Sequence, residues 1–155
     1  MGSAVREFTG IHTMIRGLVH LMDTSLSKAR PGNSDQMRVV AELALFAVAG
    51  TRFHHQGEDT QYWPAVIANG ADAAAFDSLS AEHHELDPLL DNMDRASKSL
   101  KAEPTDSRAF EALRQDFGPY RDHVLEHLNN EEPIFFPLLD KFGSTDTSVG
   151  ALTSP

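Results

Sequence analysis

Two stretches of this chain carry metal-binding side chains, and they are spaced alike. One runs from His54 to Val66 as HHQGEDTQYWPAV, the other from His127 to Leu139 as HLNNEEPIFFPLL. In each, a histidine is followed four residues later by a glutamate: His54 by Glu58, His127 by Glu131. A second acid comes next (Asp59, Glu132), then two aromatics and a proline, Tyr62-Trp63-Pro64 and Phe135-Phe136-Pro137. Residues four apart on a helix share a face about one turn apart, so each pair sets an imidazole beside a carboxylate. One such pair is common. A repeated pair with the same ending points to a site assembled from two halves.

The elements that must position these pairs read as four amphipathic helices. The first spans about 8–27, with a seam of Phe8, His12, Ile15, Val19, Met22 and Leu26. Arg30-Pro31-Gly32-Asn33 ends it, and Asn33 or Ser34 caps the next. The second helix starts near Asp35, with the seam Met37, Val40, Ala44, Ala47, Thr51, His54, Glu58 and Tyr62; Pro64 loosens its last turn. The third, capped at Ser78 or Ser80, carries Leu79, His83, Leu86, Leu90, Met93, Ser97 and Leu100. The fourth carries Phe110, Leu113, Phe117, Tyr120, Val124, His127, Glu131, Ile134 and Leu138, with bends expected at Gly118-Pro119 and Pro133. Nothing reads as a strand. The predicted fold is all-α, an up-down-up-down four-helix bundle over 5–142 with a flexible C-terminal tail over 143–155.

These seams sort the eight histidines. His12, His54, His83 and His127 take core positions, one per helix, and Glu58 and Glu131 join them. Six polar groups aimed into one core are costly unless paired, because an uncompensated buried carboxylate costs several kcal/mol. Metal ions satisfy all six together. Imidazole with carboxylate and no sulfur favours iron, with manganese or zinc behind it. Four imidazoles, two bridging carboxylates and a bridging oxo or hydroxo group nearly fill two octahedral ions and leave a position or two for a small molecule.

Taken together, His12 in HTMIRGLVHL, HHQGEDTQYWP, Glu82-His83 in AEHHEL and HLNNEEPIFFP resemble the hemerythrin-like, or HHE cation-binding, family over about 8–142. The resemblance implies a four-helix bundle with a non-haem di-iron centre. It implies His12, His54, His83 and His127 as terminal ligands and Glu58 and Glu131 as bridges. Oxygen-carrying members have a further histidine one turn along the third helix. Asp87 stands at that position here. His123, Tyr62, His55 or Asp87 itself is then the candidate to complete the ligand set or to stand beside it. Asp59 and Glu132 are expected as exposed acids.

Composition narrows the rest. The chain has no cysteine, which removes disulfides, iron–sulfur ligation and thiol nucleophiles and fits a reducing cytosol. A formal charge of −10 argues against nucleic acid or an anionic membrane as partner. No stretch reads as a membrane span or a secretory signal. The expectation is a cytoplasmic monomer or weak dimer acting on a small oxidant: hydrogen peroxide first, then nitric oxide or oxygen. Tyr62 and His123 are the candidate catalytic residues. Reversible oxygen binding, or oxygen or iron sensing without turnover, is the alternative.

Overall fold

A computed structural model of the chain describes residues 2–143, so the expected tail, Gly143 apart, lies outside the described residues. Helix α1 (Ser3–Lys28) starts earlier than the seam predicts, because Val5 extends the buried row below Phe8. Helix α2 (Ser34–Gly57) is capped by Asn33, whose side chain accepts from the Gln36 N–H. It continues without a break through one wide turn, Glu58–Tyr62, into α3 (Trp63–Ala68). Helix α4 (Asp77–Ala102) follows, and α5 (Ser107–Phe142), capped by Asp106, completes the described chain. The cap predicted at Ser78 or Ser80 does not form. Asp72 instead accepts from the Ala74 N–H and opens a single 3-10 turn, Ala73–Phe76, that runs into α4.

With α2 and its extension counted as one, four long helices form a ring. α1 packs on α2 and α5, and α4 packs on the same two. No strand occurs among the described residues, and the all-α bundle is as predicted. No helix is long and apolar enough to cross a membrane. The core falls into two apolar clusters. The larger includes Met22, Met37, Leu90, Leu113 and Leu128; the smaller is built on Phe8, Trp63, Phe76, Leu79 and Phe135.

The burial pattern departs from the predicted seams at two places, both just after a glutamate. In α5 the buried row beyond Glu131 continues through Phe135 and Leu139, not Ile134 and Leu138. A 4-3 alternation averages 3.5 residues while the helix turns in 3.6, so a strict pattern drifts off the core. In α2 the row passes from Glu58 to Trp63, and Tyr62 is left half-buried. Pro64 offers no N–H to the Thr60 carbonyl and its ring would collide with it. The turn widens instead, and the Trp63 N–H reaches back five residues to the Glu58 carbonyl.

Candidate metal centre

Between the two apolar clusters, each helix of the ring turns polar groups inward. α1 brings His12, α4 brings His83, and α5 brings His127 with Glu131, all buried. α2 brings both His54 and His55, at 7% and 6% exposure, followed by Glu58. The apolar face of a core helix is at least ~100° wide, so two successive residues can straddle its midline. Here they do. His54 lies beside His12, with ring centroids 5.0 Å apart, while His55 stacks on His83 at 3.9 Å.

The side chains gather into two groups. One is His55, Glu58, His83 and His127; the other is His12, His54, Glu58 and Glu131. Glu58 belongs to both. Its Oε1 lies 3.2 Å from His54 Nε2 and its Oε2 lies 3.5 Å from His83 Nε2. Glu131 Oε2 likewise touches both sides, 3.4 Å from His12 Nε2 and 3.6 Å from His127 Nε2.

Three acids on the flanks set the rings. His83 Nδ1 donates to Asp59 at 3.0 Å, His12 Nδ1 donates to Glu132 at 3.0 Å, and His127 Nδ1 donates to Glu82 at 2.7 Å. A carboxylate only accepts, so each of these nitrogens carries the proton and each Nε2 turns a bare lone pair inward. The acids are themselves steadied: Arg16 bonds Glu132 at 2.6 Å and Asn130 bonds Glu82 at 2.8 Å. Asp59 and Glu132 are partly exposed, as expected of surface acids, yet they do more than solvate a helix. The clue was in the repeat, since each directly follows a core glutamate. Glu82 had no such clue.

The inward atoms are left without partners. Among the described residues, the buried side-chain atoms lacking a hydrogen bond are His12, His54 and His55 Nε2, both oxygens of Glu58, both of Glu131, and Trp63 Nε1. All but the last belong to this layer. His83 Nε2 and His127 Nε2 sit 3.0 Å apart with their protons committed to the acids, so two lone pairs face each other. A cation between such groups removes both problems. A separation of 3.0 Å also suits adjacent corners of an octahedron with metal–nitrogen bonds of ~2.1 Å. The residues fit a metal pair.

The sequence matches the description "Hemerythrin HHE cation binding domain" over residues 3–139. The chain belongs to the hemerythrin HHE cation-binding family. No curated protein and no solved structure matches it.

Electrostatics of this hemerythrin-type layer follow from burial. It pushes His54 down to about 3 and His55 and His83 far below the usual imidazole range, with neighbouring imidazoles adding to the effect. His12 and His127 are lowered too, against the pull of their acids. The same burial raises Glu58 and Glu131, and the Glu131 carboxylate raises Glu58 further. Neutral imidazoles are ready to bind a cation; the carboxyls must first lose a proton.

The remaining sequence-predicted residues fall outside the layer. Asp87 is 70% exposed beside the surface residue His84 and contributes to neither group. Helix α4 faces the core with His83 and Leu86, which turns Asp87 to solvent. His123 donates through Nε2 to the Glu82 carbonyl at 3.1 Å, behind His127. Tyr62, moved by the wide turn, sets its ring edge-on to Phe8 at 4.7 Å. It lines a surface cavity of about 370 Å³ together with His54 and Phe8. Burial, then Glu7 and Glu58, raises its phenol above the ordinary range. Of the residues weighed for the place left by Asp87, His55 is the one gathered with His83 and His127.

Proposed function

We propose that this chain holds two iron ions in the histidine–glutamate layer and turns over hydrogen peroxide, with nitric oxide as a related substrate. The observation that carries the metal reading is the pair of buried ligand groups sharing Glu58, with their inward atoms unpartnered. His55, His83 and His127 would hold one ion, His12 and His54 the other, and Glu58 and Glu131 would span them. A bound iron pair supplies two-electron redox chemistry. The chain's own part is to hold the imidazoles through Asp59, Glu82 and Glu132, and to close the layer from water with Phe8, Trp63 and Phe135. The two-imidazole group has a position to spare, and His54 adjoins the cavity lined by Tyr62. Tyr62 is the proton donor there, on the strength of its place in the cavity beside His54, its phenol being protonated at neutral pH. His123 acts from behind, through the Glu82–His127 contact.

One observation favours the alternative, reversible oxygen binding. With His55 in place the layer has five imidazoles, the count that the sequence lacked at Asp87. A single experiment separates the two readings. Iron content is measured on the purified protein, peroxide is added, and oxygen evolution is followed. Sustained evolution with iron retained supports peroxide turnover. A stable absorbance change that reverses on deoxygenation, without turnover, supports carriage. Purified protein that neither contains nor takes up iron would sink both.

A further inference from the structure

The five exposed large apolar side chains of the described residues are Met14, Leu21, Val39, Phe46 and Phe53, at 49%, 49%, 67%, 59% and 81% exposure. All five lie on α1 and α2, along the groove between them. Met14 and Phe53 line one cavity, and Val39 lines a second, of about 420 Å³, with Thr24 and Lys28. Isolated surface hydrophobes are ordinary, but these five are confined to two neighbouring helices. At about 200 Å² for a whole large side chain, they leave on the order of 600 Å² of apolar surface in water.

They recur every seven residues along each helix. On α1 the row reads Glu7, Met14, Leu21, Lys28; on α2 it reads Val39, Phe46, Phe53. Heptad spacing is the seam that a neighbouring helix fills at a shallow crossing angle. The α1 row is also its own complement when reversed, acid at one end, base at the other, apolar between. Neither Glu7 nor Lys28 has an ion-pair partner among the described residues.

We infer that a second copy of this chain covers the groove across a two-fold axis. An isologous interface sets residue i on j and j on i. With the axis midway between Glu7 and Lys28, Met14 meets the second copy's Leu21 and Glu7 meets its Lys28. The cavity contacts pair Met14 with Phe53 and Gly50 across the groove. The same axis therefore passes near Gly17 and Gly50 and sets Phe46 on the second copy's Phe53. A Cβ built on Gly17 or Gly50 meets nothing within 4 Å, so the backbones can approach closely where the axis crosses. About 600 Å² from each copy reaches the lower end of a standard interface. In a chain of charge −10, the α1 row carries one acid and one base per copy and so adds no net charge across the axis. The second copy's Leu21 and Phe46 then sit on the rim of the cavity beside His54, and the dimer narrows access to it.

Sedimentation of the full chain from about 1 to about 100 µM tests this, the weak end of the range for an interface this small. A dimer is expected, weakened at least about 100-fold by Phe46→Glu with Phe53→Glu, at unchanged helical circular dichroism and metal content. Because the chain has no cysteine, Gly17→Cys should form a disulfide-linked dimer on oxidation while Gln115→Cys on α5 does not. Glu7→Lys and Lys28→Glu should each weaken the dimer, and together restore it. A wild-type monomer at the highest concentration overturns the inference, whether or not some other protein or the chain's own C-terminal residues cover the face. A dimer indifferent to these changes overturns it equally.

Discussion

The group of His55, His83 and His127 and the group of His12 and His54 both draw on the sequence repeat, which supplies His54, His55 and His127, while α1 and α4 add His12 and His83. Yet the structure treats the two groups differently. What the halves share is reciprocal. Asp59, which follows Glu58 on α2, holds His83 of α4; Glu132, which follows Glu131 on α5, holds His12 of α1. What they do not share lies on one side. His55 has Leu128 as its counterpart in the other copy, and Glu82, which holds His127, has Ile11. His83 is stacked between Trp63, at 4.7 Å, and His55, at 3.9 Å. Both groups adjoin a cavity: the two-imidazole group one of about 370 Å³ at His54 and Tyr62, the three-imidazole group a smaller one of about 150 Å³ at His127 and His123. The repeat accounts for the cage, and its asymmetries give the two groups different numbers of imidazoles and cavities of different size.

The comparison breaks most completely at Glu58, the residue common to both groups. Glu58→Ala should lower bound metal from about two ions per chain to nearly none, measured by elemental analysis of the folded protein. The layer would lose its shared carboxylate but keep its helices. Residual binding of one full equivalent would show that the groups are independent.

Next in size is the contrast between the adjacent histidines. His54→Leu leaves its ion one imidazole, whereas His55→Leu leaves its ion two. We expect His54→Leu to abolish one equivalent of metal and His55→Leu to weaken the other equivalent by roughly 10- to 100-fold, read by competitive chelator titration. Equal losses would mean that the imidazole count does not distinguish the groups.

Smaller effects belong to the flanking acids. Asp59→Asn, Glu132→Gln and Glu82→Gln each keep the shape but weaken the hold on one Nδ1–H, and each should lower affinity by about tenfold or more. Glu82→Gln and Asp59→Asn should act on the three-imidazole ion, Glu132→Gln on the other. A variant that lowers helicity along with affinity would point to a folding defect instead.

The smallest and most general expectation concerns pH. The imidazoles have folded pKa values below the unfolded value, so their contribution to stability is present above about pH 6.5 and is lost as pH falls. Glu58 and Glu131 are raised. Their contribution in the metal-free protein is present below the ordinary carboxylate range and lost as pH rises through their folded values. The two trends partly offset each other between about pH 4.5 and 6.5, so the metal-free Tm should change little there and drop below it. Metal binding needs the carboxylates ionised, so the Tm gap between loaded and metal-free protein should widen from about pH 5 to about pH 7.5. A gap that stays flat would mean that the carboxyls do not compete with the metal for protons.

Much of this was readable without coordinates. Apolar periodicity separates His12, His54, His83 and His127 from His20 and His84, because a helix repeats its faces regularly and burial follows the face. The same spacing implies four helices, and their short connections imply a ring of antiparallel neighbours. Local chemistry also narrowed the cap of α2 to Asn33 or Ser34, of which Asn33 is the one that forms. It failed at Ser78 and Ser80, where Asp72 and a 3-10 turn began the helix earlier. It failed again at Tyr62, where two matching strings concealed one extra residue per turn.

The sequence by itself determined which residues are available to bind metal and which faces carry them, since helix period and side-chain chemistry are local properties. Tertiary structure decided the rest. Whether His55 or Asp87 joins His83 depends on the rotation of α2 against α4. Which acid holds which ring depends on contacts between helices far apart in the chain: Glu132 with His12, Glu82 with His127. Glu58 is common to both groups only because two clusters of side chains meet around it in space. Spacing along one helix carries no information about that meeting, since it is set by how whole helices pack.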